Sequence, residues 1–303
     1  MQVDGPHRQE HSGRSEFAMI HQSRQPLVSI VIPVHNGMPF IRVAVQSALD
    51  QDYENLEVLV MENMSDDGTA EWLSEITDPR VRVVSQDDLV SVDRNFTDAV
   101  ATATGEFLRI LCADDFLRPG AVAAHVGAFE RYPDAVLVSS VRDICDERGK
   151  TLIKARGLDG LDTVSTREEV VRACGEYGTN VIGEPFCRTS AVHAELPFSP
   201  EARFVLDLEL YVRVLRHGTL VTIPGTYSAF RVSESGYSAG APNSQAAHFT
   251  SWFSSLSADP SLDLTADEVR YAAKQARKNQ NARSVFYRYV QARNRARQLM
   301  RRS

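Results

Sequence analysis

The chain is expected to fold as an α/β protein around a mainly parallel sheet, with helices on both faces and a helical extension at the C-terminus. Five short, β-branched apolar runs carry this expectation: residues 27–33, 56–61, 81–84, 107–111 and 135–140. Their starts lie 25–29 residues apart, room for a strand and a returning helix, and the stretches between them have mostly helical periodicity. Length points the same way: 303 residues, 43% of them hydrophobic, suffice for a sizeable core.

In chain order, residues 1–25 are polar and lack the apolar core of a signal sequence, so a disordered tail is expected there rather than a targeting peptide. After the first strand, Pro39 suits a first helical turn, and Ile41, Val45 and Leu49 follow at helical spacing. The next link, near Trp72, is shorter. Phe96, Val100 and Ala103 mark a third helix. Pro119 opens a fourth, striped by Val122, Val126 and Phe129. In the less regular second half, residues 166–173 read as a helix with Thr166 as N-cap and acids in its first turn. Residues 206–216 form an amphipathic helix stopped by Gly218. Two short strands are expected at 220–223 and 227–231, then a Ser- and Gly-rich loop at 233–244. Helices resume near 244, the last spanning 266–301, and no internal repeat is visible.

Composition sets bounds on function. The net charge is -7, unsuited to nucleic-acid binding by the chain as a whole. No apolar stretch approaches the length of a membrane span. Charge is nevertheless uneven: residues 264–303 hold eleven Lys or Arg against two acids, a local +9 that leaves -16 on the rest. Cys112, Cys145, Cys174 and Cys187 form no CxxC pair, and HExxH is absent, so buried or idle thiols in a reducing cytoplasm are expected. GxGxxG is missing after the first strand and GxxxxGK[ST] is missing everywhere, against dehydrogenases and P-loop enzymes.

Ligands of open parallel sheets bind beyond the carboxyl ends of strands. Here the first strand runs into Pro33-Val34-His35-Asn36-Gly37 and the second into Glu62-Asn63-Met64-Ser65-Asp66-Asp67-Gly68-Thr69. The fourth ends in Cys112-Ala113-Asp114-Asp115. An Asp pair after a buried strand suits Mg2+ or Mn2+, which take hard oxygen ligands and leave room for phosphate. An acid after the second strand can accept hydrogen bonds from a base or ribose. Taken singly, the same residues also read as a helix N-terminal acid cluster and an Asx-rich turn; their combination and order favour a binding edge.

The combination resembles glycosyltransferase family 2. Ser29-Ile30-Val31-Ile32-Pro33-Val34-His35-Asn36 is similar to that family's opening strand, and residues 62–69 to its acid-rich second motif ending in Asp-Gly-Thr. Asp93-Arg94-Asn95, followed by Ala103-Thr104-Gly105-Glu106-Phe107, resembles its RN…AxGE[FY] segment. Leu111-Cys112-Ala113-Asp114-Asp115 stands where the family carries DxD. The resemblance covers about residues 27–145. It implies a GT-A fold and a nucleotide-diphosphate sugar as donor, with uracil as the default base and thymine or guanine open. Pro33, His35, Asn36 and Glu62 then match the base-binding region. Arg94 can approach the nucleotide. Asp114, with Asp115 beside it, meets the diphosphate, and Asp114 meets a divalent cation. Cys112 departs from the pattern, since a neutral thiol is a poor ligand for a hard cation.

For an inverting transferase the resemblance also implies a general base near the start of a helix in the second half. Asp207 is favoured because it is first in the helix and follows an apolar run; Glu209 is the second choice. Glu184 in Gly183-Glu184-Pro185 is placed toward the acceptor, and Arg231 toward the diphosphate or a structural salt bridge. The expected organisation is a tail (1–25), a nucleotide-sugar half (26–145), an acceptor half (146–243) and a basic helical extension (244–303). That extension can dock on the acidic body or meet anionic lipid near a lipid-linked acceptor, which suits a cytoplasmic protein peripheral to the membrane's inner face. Two other readings stand beside transfer. One is a non-catalytic nucleotide-sugar binder, which Cys112 favours. The other is a nucleotidyltransferase, for which His35-Asn36-Gly37-Met38 lacks the basic phosphate loop.

Overall fold

A computed structural model describes residues 25–233 and 244–299 of the chain. Its centre is β1 (Val28–Val34), buried at every position, as a strand covered on both faces requires. β1 pairs in parallel with β2 (Leu56–Glu62) on one side and β4 (Phe107–Ile110) on the other. β2 pairs in parallel with β3 (Val81–Ser85). The chain thus moves outward from β1 to β3 and returns to the opposite flank as β4. Strand order reverses between β1 and β4, so a crevice for ligand is expected past their carboxyl ends. The connecting helices are α1 (Ile41–Leu49), α2 (Thr69–Ser74) and α3 (Val92–Ala101).

Beyond β4 come β5 (Phe116–Leu117), α4 (Ala121–Arg131), β6 (Ala135–Cys145), β7 (Thr151–Arg156), β8 (Val164–Ser165) and α5 (Arg167–Tyr177). These are followed by β9 (Phe186–Arg188), α6 (Thr189–Ala194), α7 (Leu206–Val214) and β10 (Thr219–Arg231). The sheet has ten strands, ordered β3-β2-β1-β4-β9-β6-β10-β5, with β7 beside β6 and β8 beside β10. β9 is antiparallel to both β4 and β6; its three residues are too few for periodicity to reveal. The strands expected at 220–223 and 227–231 are one strand. Its pairing to β6 jumps from Ile223↔Ser140 to Thr226↔Val141, and the extra Pro224-Gly225 is absorbed with Gly225 at φ 110. α5 begins with the expected Thr166 cap, completed as a capping box by Glu169, and runs four residues past the expected end. α3 stops before Ala103.

Side chains alternate across β1. Val28, Ile30, Ile32 and Val34 join one core with α1 and α4, while Val31 faces a second core containing α5 and α7. That second core also holds α8 (Gln245–Ser255) and the start of α9 (Ala266–Leu299), a single helix without a break. The expected N-terminal tail and most of the Ser- and Gly-rich loop lie outside the described residues.

Candidate functional site

The loops after β1 and β2 are laced into one platform. Asn36, at φ 53, accepts from the Asp66 amide at 2.9 Å, and its own amide donates to Ser65 Oγ at 2.9 Å. The Gly37 amide donates to Thr69 Oγ1 (3.0 Å) and the Met38 amide to Asp67 Oδ2 (2.8 Å). Asp67 Oδ1 accepts from the Thr69 amide at 3.1 Å, at the start of α2. His35 Nδ1 lies 2.7 Å from the Asn63 carbonyl, and Asn63 exchanges two 3.0 Å bonds with the Val90 backbone. Glu62 is buried at the end of β2, accepting from the Ser65 amide at 2.6 Å and the Met64 amide at 3.2 Å. Much of the acid- and Asx-rich motif therefore builds the pocket wall by satisfying loop amides.

Across the switch point stands the acidic loop after β4. One potential ligand atom each from Cys112, Asp114 and Asp115 lies within 4.8 Å of the others. Asp115 is buried and accepts from the Arg231 amide at 2.7 Å. Burial, then the neighbouring Asp114 and Glu184, raise its pKa well above the carboxylate range; burial likewise raises Asp114. Crowding around the sulfur and the charges of Asp115 and Asp114 raise Cys112, keeping it a neutral thiol. Two adjacent acids that resist ionising together are stabilised by a cation between them. The residues fit one hard divalent ion held by carboxylate oxygen, with the thiol contributing little.

Arg231 is buried behind this loop. Its Nε donates to the Asp114 carbonyl at 2.7 Å and its Nη1 to the Glu147 carbonyl at 2.8 Å. Its guanidinium packs against Phe40 and Phe116, 4.8 and 5.2 Å from the ring centres. Arg231 thus braces the acidic loop.

On the far side, Glu184 forms buried ion pairs with Arg109 of β4 and Arg142 of β6; the Arg142 pair measures 3.0 Å. Arg142 also donates to Asn180 Oδ1 at 2.9 Å. Asp207, in the first turn of α7, reaches solvent and accepts from the Leu208 amide at 2.8 Å. The protein packed around it raises its pKa, with Glu184 adding to the rise and Arg142 opposing it. Asp207 also contributes to raising the pKa of Cys112 through its charge. Glu209 is paired with Arg213 at 2.8 Å and lines a separate cavity of about 470 Å3 with Arg167, Arg216, Trp252 and Asp259.

The structure therefore brings Pro33, His35, Asn36 and Glu62 to one wall, and Asp114, Asp115, Arg231, Glu184 and Asp207 to the other. Arg94 is exposed and paired with Asp98 at 2.7 Å. Arg109 and Arg142 escaped sequence reasoning. The available signal was an arginine inside each apolar strand run, Phe107-Leu108-Arg109-Ile110 and Ser140-Val141-Arg142; a buried arginine needs buried partners, most often an acid.

Residues 29–179, about half the chain, match the family model described as glycosyl transferase family 2. Hyaluronan synthase of Pasteurella multocida is 38% identical over 104 residues, 34% of this chain and 11% of that protein. This chain spans 11–19% of the length of four of the curated relatives it matches. Among solved structures, S. aureus TarS 1–349 in complex with UDP-GlcNAc superimposes with a TM-score of 0.62 at 14% identity, covering 82% of this chain and 71% of TarS 1–349. The mannosyltransferase PcManGT of Pyrobaculum calidifontis, in complex with GDP-Man and Mn2+, gives 0.59 at 19% identity, covering 91% and 81%.

Proposed function

This chain belongs to glycosyltransferase family 2 and has the GT-A fold, and from that premise we propose that it is an enzyme moving a sugar from a nucleotide-diphosphate donor to an acceptor hydroxyl. In this reading the donor is a UDP-sugar, transfer proceeds with inversion, and the product belongs to glycan, cell-wall or glycolipid biosynthesis. The observation that carries it is the meeting of two laced loops and the Cys112–Asp114–Asp115 cluster at the β1–β4 switch point. The complexes of TarS with UDP-GlcNAc and of PcManGT with GDP-Man and Mn2+ support a nucleotide-sugar donor and a divalent cation.

Pro33, His35, Asn36 and Glu62 hold the base side of the donor, and Arg94 approaches the nucleotide. Asp114, assisted by Asp115, would hold Mg2+ or Mn2+, which when bound neutralises charge on the departing diphosphate. Arg231 keeps the acidic loop in place. Asp207 takes the proton from the acceptor hydroxyl. Its carboxylate is anchored at one oxygen by the Leu208 amide, and its raised pKa makes it a better base. Glu184 orients the acceptor side as the partner of Arg109 and Arg142.

The test is Asp207→Asn. Transfer is expected to fall about 10²–10⁴-fold while donor affinity, measured by calorimetry, is retained; wild-type turnover in that variant removes Asp207 as the base. Cys112 favours a second reading, a catalytically weak sugar-nucleotide binder. Slow metal-dependent donor hydrolysis without acceptor separates the two, because a pure binder shows none.

A further inference from the structure

The C-terminal helix has a solvent face that sugar transfer does not use. α9 docks through Ala272, Ala276 and Val290 and through contacts with α5 and α8. At 100° per residue its outer side gathers Tyr271, Lys274, Arg277, Lys278, Val285, Arg288 and Tyr289 into an arc of about 120°. Tyr271, Val285 and Tyr289 are 48%, 66% and 59% exposed, a concentration of apolar surface on one polar helix. No acid follows Glu268 in the sequence. Among the described residues, the ion pairs of α9 are Glu268 with Arg172, Arg270 with Asp267, and Arg293 with Asp146. Lys274, Arg277, Lys278 and Arg288 therefore face outward without a carboxylate partner among the described residues.

We propose that this face of α9 docks on an anionic lipid surface. Its exposed cations run from Lys274 to Arg288, a cationic line of about 20 Å along the helix axis. A flat anionic plane meets such a line along its whole length, whereas a globular partner curves away from it. Tyrosine rings between the cations suit the headgroup level, and each cation near an anionic surface adds about fivefold to partitioning. The face is too polar to insert, and no helix among the described residues is long and apolar enough to cross a membrane. Binding is therefore electrostatic and weakens as salt shortens the Debye length. The docked helix lies near the acidic loop: Arg293 pairs with Asp146, and the carbonyl of the adjoining Glu147 accepts from Arg231, which bonds the Asp114 carbonyl.

Full-length protein is sedimented with phosphatidylcholine vesicles, with and without phosphatidylserine, across a salt series. Binding is expected only with phosphatidylserine and is expected to decline with salt. Lys274→Gln/Lys278→Gln/Arg288→Gln, all on the exposed face, should lower partitioning about a hundredfold with an unchanged melting temperature. Tyr289→Ser serves as a second, charge-neutral variant and should lower it further at fixed salt. Absence of binding to phosphatidylserine vesicles, or equal binding to both vesicle types, overturns the proposal. So does salt-sensitive self-association without vesicles, which would make the acidic body of a second copy the occupant, and so does preferential binding to an RNA oligomer. Sedimentation does not depend on turnover, so its failure leaves the glycosyltransferase reading intact.

Discussion

Replacing Glu184 by Gln removes the one negative charge between two buried arginines while preserving shape. The side chains of Arg109, Arg142 and Glu184 are 2%, 10% and 10% exposed, so water can screen neither cation effectively. The Nε atoms of both arginines already lack partners, and the variant leaves their charges uncompensated as well. Breaking a buried pair in this way costs about 3–5 kcal/mol, a large share of the roughly 5–15 kcal/mol that holds a domain together. The melting temperature should fall by roughly 10 °C, and the urea midpoint should fall with an unchanged m-value. A second readout follows from charge. Glu184 helps raise the pKa of Asp207, so the acidic limb of the transfer profile should move to lower pH in the variant. If Glu184 instead served only to touch acceptor, its loss would raise the acceptor KM and leave the unfolding midpoint alone. An unchanged midpoint refutes the buried-triad account. Adding Arg109→Met should return part of the lost stability, because it removes one of the stranded cations.

Three further outcomes are expected. In Gly105→Ala the new Cβ meets the Leu27 carbonyl oxygen at 2.7 Å and the Ser29 amide nitrogen at 2.8 Å, so the variant should lose about 1–3 kcal/mol by urea unfolding, and wild-type stability would show that the strand entry can shift. His125 is buried with its pKa lowered to about 3, so the unfolded chain binds the proton first: stability should decline from about pH 6.5 to about pH 3 by roughly 1.4 kcal/mol per unit, and His125→Gln should flatten that slope; an identical slope in the variant assigns the loss to other groups. Asp114→Ala should weaken Mn2+-dependent donor binding about tenfold or more, and calorimetry giving the same affinity with and without Mn2+, in both proteins, defeats the metal assignment.

The parallel half of the sheet was legible because its strands are apolar runs linked by βαβ connections, including the partly exposed edge strand β3. Val28–Val34 and Leu56–Glu62 announce themselves by composition alone. β9 and β5, with three and two residues, exist only because neighbours supply their hydrogen bonds, so no local pattern encodes them. The bulge in β10 was misread for a related reason: Pro224-Gly225 is a turn signal in isolation, and only the pairing with β6 on both sides holds the strand together.

The site divides along the same line. Residues that follow a predictable strand end, such as Glu62 and Asp114, could be placed on the sheet edge from sequence, but their duties depend on contacts far along the chain. Asp114 is backed by Arg231, 117 residues away, and Asp115 accepts an amide from 116 residues away. Cys112 shows why this matters. Read locally, it is a defect in an acidic motif. In the fold it is a neutral group beside two carboxylates whose ionisation already opposes each other. A third acid at that position would add to the repulsion in the metal-free protein, so a cation has less to offset here, and affinity for it should depend more heavily on the phosphates it meets.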